Sequence, residues 1–346
     1  MNDFQKELSE QPKALLDTAA WMASGEGRHI LDGIVSAWKS GTFSRIVATG
    51  MGSSFFIAEA FACLAAGKGI PAFSLNAGEL LHYGRPLLGP STLLLAISQS
   101  GESYETVEVI RTSGHPRDAV VALTNEPESS LSRLAGYTLL THAGCEQMTS
   151  SKTFITSWQV ACTLVHALAG NDSFEVRWDA LAAQVQDLLN RPVTEAVRLI
   201  GDAPFLTFIA RGTDVAAARQ SALMCMEALH LPAVALTGGD FRHGPLEMAG
   251  PDKAIVVSAP SSSPTFSLGV RLAEDILRFG GKLIWVSDQA LPVRENLCHL
   301  YLPTLPDPLN VIPAVIPMQR LVCALADRRG MVPGGFHHGN KVTAIE

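Results

Sequence analysis

A similar stretch of sequence occurs twice in this chain. The twenty residues PAFSLNAGELLHYGRPLLGP, from Pro71 to Pro90, align without a gap with PAVALTGGDFRHGPLEMAGP, from Pro232 to Pro251. The second stretch begins 161 residues after the first, and seven of the twenty positions are identical, including both Pro-Ala starts and both Gly-Pro ends. A repeat on this scale in a chain of 346 residues predicts a tandem repeat of one domain.

Each half of the chain alternates short apolar segments with longer helical segments. Short apolar strands separated by helices are typical of a parallel sheet that is covered on both faces. In the first half, the pattern predicts strands at residues 45–49, 71–76, 92–97, 119–124 and 137–140, and helices at 54–66, 104–114 and 129–135. The fold class expected is therefore α/β, with two tandem domains, each built on a five-stranded parallel sheet of flavodoxin-like type.

Changes in pattern along the chain predict the domain boundaries. Residues 1–40 are expected to form an N-terminal helical segment, and residues 171–195 a connecting helix between the domains. The first domain is expected at 41–170, the second at 196–330, and a C-terminal tail at 331–346.

Composition and charge exclude several classes of partner. The net charge is −7 and the pI is about 5.8, with no dense run of Lys or Arg, so we expect no nucleic-acid binding. The sequence has no signal peptide pattern and no apolar run of about 18 residues, so a cytoplasmic protein without membrane contact is predicted. The six scattered cysteines are expected to be reduced, buried thiols.

Two polar loops follow predicted strands in the first half. GMGSS (50–54) follows the first strand and SQSGES (98–103) follows the third. In parallel sheets, ligands bind at the carboxyl ends of strands, where helix N-termini attract anions. The loops therefore predict a phosphate site, although the same hydroxyls could simply cap helices. A dinucleotide site is disfavoured, because Phe55 occupies the third glycine position of G-x-G-x-x-G.

Five motifs in order resemble the sugar isomerase (SIS) family. They are similar to the isomerase half of glucosamine-6-phosphate synthase and to stand-alone glucosamine-6-phosphate deaminases, and the resemblance covers essentially the whole chain. The matching segments are GMGSS, SQSGES, SSKTF (150–154), GGDFRHGPLEM (238–248) and the C-terminal NKVTAIE.

The resemblance implies roles for individual residues. Glu227 would be the base that moves a proton between C1 and C2, His243 would open the sugar ring, and Lys341 would form a Schiff base. The family also implies a homodimer in which His243 reaches the neighbouring subunit's site. Binding of the phosphorylated sugar is assigned to Gly52, Ser53, Ser54, Ser98, Gln99, Ser100, Ser103, Ser150 and Lys152.

The function expected from this resemblance is an amino-sugar-phosphate deaminase and ketol-isomerase. It would convert glucosamine 6-phosphate, or a related 6-phosphorylated amino sugar, to fructose 6-phosphate and ammonia, with no metal and no cofactor. The alternatives are a fructosamine-6-phosphate-type deglycase and a non-catalytic sugar-phosphate-binding regulator. Because the first residues run directly into the isomerase module, no glutaminase domain is expected. Asp240 replaces the family's usual Glu.

Each catalytic candidate also has a purely structural interpretation. Glu227 lies in the apolar helical stretch ALMCMEAL and could be a buried, paired carboxylate. Lys341 could be an ordinary surface residue near the chain end. His243 could be a structural turn histidine, since His82 occupies the equivalent position of the first repeat.

Overall fold

The computed structural model describes residues 2–170, 175–334, 336, 338, 341 and 343. The contacts divide the chain into two units. The first-sheet unit contains residues 10–182 and the described residues of 338–346. The second-sheet unit contains residues 2–9 and the described residues of 183–337. This division falls within the predicted tail, because residues 331–334 and 336 group with the second sheet and residues 338, 341 and 343 with the first. It also falls within the helix that contains residue 183.

The N-terminal forty residues are helical, as predicted. Helix α1 (Asp3–Ser9) belongs to the second-sheet unit, and α2 (Gln11–Ala23) and α3 (Gly25–Lys39) belong to the first-sheet unit. The first-sheet unit continues with β1 (Arg45–Gly50), α4 (Ser53–Gly67), β2 (Ala72–Asn76), α5 (Ala77–Glu79), β3 (Thr92–Ile97), α6 (Tyr104–Ser113), β4 (Val120–Thr124), α7 (Ser130–Leu134), β5 (Tyr137–Leu140) and α8 (Lys152–Leu168).

The first sheet is parallel and has the strand order β2-β1-β3-β4-β5. Every residue of its central strand β3 is buried, which is the pattern expected of a strand covered by helices on both faces. Helix α8 is almost entirely buried and packs against α4 and α2. All five predicted strands of this half are confirmed.

The second-sheet unit repeats this arrangement. Its elements are α9 (Trp178–Asn190), α10 (Thr194–Ile200), β6 (Leu206–Ala210), α11 (Val215–Leu229), β7 (Ala233–Thr237), α12 (Gly238–Arg242), β8 (Ala254–Ser258), α13 (Phe266–Arg278), β9 (Lys282–Ser287), β10 (Leu297–Tyr301) and α14 (Val311–Arg328). The strand order is β7-β6-β8-β9-β10, and every pair is parallel. In order of appearance, both sheets therefore read 2-1-3-4-5.

The cysteines only partly match the expectation. All six are free and four are buried, but Cys63 and Cys145 are exposed. Cys63 lies on the outer face of α4 and Cys145 in the loop after β5, and apolar sequence around a helical residue does not specify which face it occupies. Among the described residues, no helix is both long and apolar enough to cross a membrane.

Candidate active site

The carboxyl edge of the first sheet has a switch point between β1 and β3. In the order 2-1-3-4-5, the chain leaves these two neighbouring strands in opposite directions, which opens a crevice for ligands. The backbones come close together there. A Cβ atom on Gly50 would lie 2.8 Å from the carbonyl oxygen of Ile97, so a glycine is required where the two loops meet.

Three serine hydroxyls are gathered in the loop after β3. The Oγ atoms of Ser98 and Ser103 lie 3.0 Å apart. Ser98 Oγ also accepts the N–H of Gly101 at 3.1 Å, and Ser100 Oγ accepts the N–H of Glu102 at 3.2 Å. The loop thus folds back on itself, with Ser98 buried and Gln99, Ser100 and Ser103 half-buried.

Helix capping does not account for these hydroxyls. Within the described residues, neither α4 nor α6 has a side-chain hydrogen bond at its N-cap. The N-cap of α4 is Gly52, with φ 50°, and Ser53 and Ser54 lie in the first turn. Ser103 is the N-cap of α6, but its hydroxyl pairs with Ser98 instead. Side-chain capping is therefore not what these hydroxyls do, and their role in phosphate binding stays a prediction.

The loop is held by the next strand. The carbonyl oxygen of Gln99 accepts hydrogen bonds from Asn125 N–H at 3.0 Å and from Thr124 Oγ1 at 3.1 Å. Gly101 has φ +64°, and a Cβ atom there would lie 2.1 Å from Ser129 Oγ. Larger residues are therefore excluded, both by backbone conformation and by space.

The acidic residue of this loop faces another helix. The Glu102 carboxylate accepts the N–H of Ser130 at 2.7 Å, at the start of α7. Its negative charge is therefore held at a helix N-terminus, where it is favourable.

The C-terminal tail contacts the first-sheet unit at two points. Lys341 Nζ donates to Glu146 Oε2 at 2.9 Å, to the Met148 carbonyl at 2.6 Å and to Ser150 Oγ at 3.2 Å. Two residues further on, the Thr343 carbonyl accepts the N–H of Tyr104 at 3.1 Å. Tyr104 is the first residue of α6, and two residues span at most about 7 Å. The backbone of Lys341 therefore lies beside α6, the helix that follows residues 98–103. We call these residues the serine loop.

Glu146 accepts a hydrogen bond from Lys341 and lies at the N-terminus of α8. Its Oε1 accepts the N–H groups of Ser151 and Thr153 at 2.9 and 3.1 Å and the Ser151 hydroxyl at 3.1 Å. Burial alone would raise the pKa of this carboxyl, but the Lys341 ammonium and the hydrogen bonds outweigh burial, so its pKa is lowered. Glu146 is therefore ionised at neutral pH.

Two other predicted binding residues lie near this network. Ser150 contacts Lys341 directly. Lys152 is 1% exposed, and its Nζ donates to Glu10 Oε2 at 2.5 Å and to the Cys145 carbonyl at 2.7 Å. Its contact with a sugar phosphate stays a prediction.

Glu227 and His243 belong to the second-sheet unit. Glu227 is half-buried in the last turn of α11, and His243 is exposed and follows α12. The backbone N–H of His243 donates to the Asp240 carbonyl at 3.1 Å. The Asp240 carboxylate accepts from Thr237 Oγ1 at 2.8 Å, which orders the turn before His243. The catalytic roles of both residues stay predictions.

The corresponding edge of the second sheet has a different character. A small cavity at the ends of β6 and β8 is lined by Arg211, Asp214 and Ser258 among mostly apolar residues. Arg211 Nε, Asp214 Oδ1 and Ser258 Oγ are buried and make no hydrogen bond within the described part of the chain. Burial, with a smaller contribution from Asp307, raises the pKa of Asp214 to about 8.

The sequence of this chain matches known proteins over most of its length. Residues 43–169 match the family model of the SIS domain, which identifies this segment as a SIS domain. The chain is 28% identical over 350 residues to the isomerizing glutamine–fructose-6-phosphate aminotransferase of Pyrococcus horikoshii, covering 99% of this chain and 57% of that protein. The chain thus spans little more than half the length of this curated relative.

Solved structures share the fold. Tagatose-6-phosphate ketose/aldose isomerase from Escherichia coli superposes with a TM-score of 0.82 and 20% identity, covering 99% of this chain and 98% of that one. Glucosamine-6-phosphate deaminase from Thermotoga maritima gives a TM-score of 0.75 and 18% identity, covering 99% of both chains. The resemblance to SIS proteins seen in the motifs is confirmed, and the chain has the architecture of phosphosugar isomerases.

Sequence reasoning did not assign Glu146 a role. One signal was present: the segment CEQMTSSKT places an acid shortly before two helix-starting hydroxyl residues. Its partner Lys341 lies 195 residues away in sequence, and no local pattern joins the two.

Proposed function

We propose that this protein is a phosphosugar enzyme that deaminates and isomerises glucosamine 6-phosphate, or a related 6-phosphorylated amino sugar, to fructose 6-phosphate and ammonia. The observation that carries the proposal is the seating of Lys341 beside the N-terminus of α6, where the serine loop ends. A lysine next to an anion site is the arrangement that Schiff-base chemistry on a sugar phosphate requires.

The serine loop would bind the 6-phosphate. Hydroxyl donors and a helix N-terminus together favour a phosphate monoester. We assign binding of the phosphorylated sugar to Gly52, Ser53, Ser54, Ser98, Gln99, Ser100, Ser103, Ser150 and Lys152.

Three residues would carry the chemistry. His243 opens the sugar ring, and Glu227 takes the proton from C2 and returns it to C1. The resulting C2 imine adds water and releases ammonia, with Lys341 beside the reacting carbons. The motif resemblance and the relatives named above support these roles, and the fold gives each residue an ordered backbone position.

We also infer that the chain is a tandem repeat of two SIS domains of the flavodoxin-like type. The identical strand orders support this, because the strands of both halves follow one another at nearly the offset of the sequence repeat. A homodimer with His243 contributed across the subunit boundary is part of the proposal, and the exposure of His243 is compatible with it.

The proposal is tested by proton exchange at carbon. Fructose 6-phosphate is incubated with the protein in deuterated water, without any amine, and C1 is followed by NMR. The wild type should introduce deuterium at C1, and Glu227→Gln should slow exchange roughly 100-fold or more, the usual contribution of a positioned base. Glu108→Gln, which changes another half-buried helical glutamate, is the matched control and should exchange normally.

The substrate is identified by ammonia release from a panel of 6-phosphorylated amino sugars and fructosamines. A protein that binds these compounds but neither exchanges C1 protons nor releases ammonia would be a sugar-phosphate-binding regulator, and the enzyme proposal would be wrong. Release from fructosamines alone would identify a deglycase.

The shared site is tested by subunit mixing. A Glu227→Gln chain and a His243→Ala chain should each be inactive, and re-equilibrated mixtures should regain part of the activity. Mixtures as inactive as the parents would contradict the contribution of His243 across the boundary.

A further inference from the structure

The carboxylate of Glu146 has no part in the chemistry proposed above, yet it is the most completely bonded acid near Lys341. Its side chain is 0% exposed. Oε1 accepts three hydrogen bonds, from Ser151 N–H, Ser151 Oγ and Thr153 N–H, and Oε2 accepts two, from Thr153 Oγ1 and Lys341 Nζ. A carboxylate has about four lone-pair positions, so Glu146 has no capacity left for a ligand.

We propose that Glu146 is a positioning residue for Lys341, which fixes the lysine ammonium and with it the C-terminal segment on the first-sheet unit. Glu146 acts on the sugar phosphate only through the lysine. The role of Lys341 in the reaction rests on the proposed function, whereas the seating of the tail does not.

The seat of Lys341 is the set of acceptors that hold its ammonium. An ammonium has three donors, and Lys341 directs them to Glu146, the Met148 carbonyl and Ser150. All three acceptors lie in the short segment that leads into α8. Because the direction of the ammonium is set by three acceptors at once, the lysine side chain is held in one place before any ligand arrives.

Helix α8 fixes the position of the carboxylate in turn. Glu146 caps the N-terminus of this long, buried helix through Ser151 and Thr153. A negative charge at a helix N-terminus is stabilised by the helix dipole and by otherwise unpaired N–H groups. The position of the Glu146 carboxylate is therefore fixed by α8 independently of Lys341.

A second ion pair in the same unit, between the buried Lys152 and the half-buried Glu10, provides a contrast. Lys152 is 1% exposed and pairs with Glu10, so its ammonium is enclosed. Lys341 remains 17% exposed while its partner Glu146 is fully buried. The two lysines therefore differ in exposure: the side chain of Lys152 is enclosed, whereas that of Lys341 is partly exposed while its acceptor Glu146 is buried.

The seat is tested first by chemical labelling, without substrate. Lys341 in the wild-type chain should react slowly with acetic anhydride, measured by mass spectrometry of its peptide. Glu146→Gln should raise the rate of acetylation at Lys341 about tenfold or more. Asp288→Asn removes another buried, hydrogen-bonded carboxylate that makes no lysine contact and should leave Lys341 labelling unchanged. Equal labelling in wild type and Glu146→Gln would overturn the proposal.

A second measurement does not need the Glu146 variant to fold. Lys341→Met removes the same pair from the tail side, and the peptide containing Tyr104 is followed by hydrogen exchange. If the lysine holds the tail, the Tyr104 amide, which is bonded to the Thr343 carbonyl, should exchange at least tenfold faster. An unchanged exchange rate would show that the tail is held by other contacts.

Turnover then separates this inference from the proposed function. If Glu146 acts only through the lysine, Glu146→Gln should lower kcat in the wild-type background and have no further effect in the Lys341→Met background. A further loss in that background would contradict the positioning role. If the wild type shows no turnover at all, the proposed function fails, whereas the labelling and exchange results still decide whether the seat exists.

Discussion

The two sheets have the same strand order, but the acids buried beside them are in opposite electrostatic environments. Glu146 of the first-sheet unit caps a helix, pairs with a lysine and has a lowered pKa. Asp214 of the second-sheet unit is also buried, but no cation among the described residues offsets that burial, so burial, with a smaller contribution from the acid Asp307, raises its pKa to about 8. At neutral pH the first is charged and the second is protonated. Burial alone therefore does not set the charge of an acid, and its bonded partners do.

The loops at the carboxyl edges of the two sheets also differ, in the residue types they contain. After β3 the chain reads Ser98-Gln99-Ser100, and at the equivalent positions after β8 it reads Ala259-Pro260-Ser261. The first loop presents hydroxyl groups at a helix N-terminus, and the second encloses a small cavity with unpaired polar atoms. The two sheets thus share a strand order, while the loops at their edges differ in residue type.

The largest expected effect concerns Asp214. Its folded-state pKa lies above the unfolded value of 3.8, so the folded protein binds the extra proton and stability should fall as the pH rises from about 4 to about 8. Asp214→Asn removes this dependence. Relative to wild type, the variant should gain several kcal/mol in unfolding free energy across that range, measured by denaturant titration. Asp288→Asn, whose parent pKa is lowered, should not show this gain. If the unfolding free energies of wild type and Asp214→Asn change in parallel with pH, the raised pKa of Asp214 is contradicted.

A smaller effect is expected on the affinity for fructose 6-phosphate. It compares the two sheet edges as anion sites. Ser98→Ala should weaken the binding of fructose 6-phosphate by roughly tenfold to over a hundredfold, because a hydrogen bond to a charged ligand contributes about 1.5–3 kcal/mol. Ser258→Ala changes a half-buried serine at the other sheet edge and should leave the affinity unchanged. Titration calorimetry measures both. Equal affinities for wild type and Ser98→Ala would remove the serine loop from the phosphate site.

The smallest expected effect is the loss of stability when Glu146 is protonated at acid pH. Because the folded-state pKa of Glu146 is below its ordinary value of 4.5, its contribution to stability is present above that value and is lost as the pH falls through the folded pKa. Between pH 4.5 and 3, one proton can change the unfolding free energy by at most about 2 kcal/mol. Glu146→Gln should therefore lose less stability than wild type over this range, by thermal unfolding in matched buffers. An identical acid slope in the two proteins would show that Glu146 is not the titrating group.

Much of the fold could be predicted from the sequence. Each strand of the first half was placed to within about a residue of its observed bounds, because a buried parallel strand is a short apolar run between turn residues. The serine loop was also predicted, since it directly follows such a run. The exposure of Cys63 was predicted wrongly, because the alanine-rich sequence of α4 does not show which face meets its neighbours.

The sequence by itself determined the repeat, the alternation of strands and helices, and the residue types at the first sheet edge, because these depend on local periodicity and turn chemistry. Only the tertiary structure decided that Lys341 pairs with Glu146, that Lys341 and Thr343 belong to the first-sheet unit and that the pKa of Asp214 is raised. Each of these depends on groups brought together from distant parts of the chain, and the energy of a buried charge is set by those neighbours rather than by the residues adjacent in sequence.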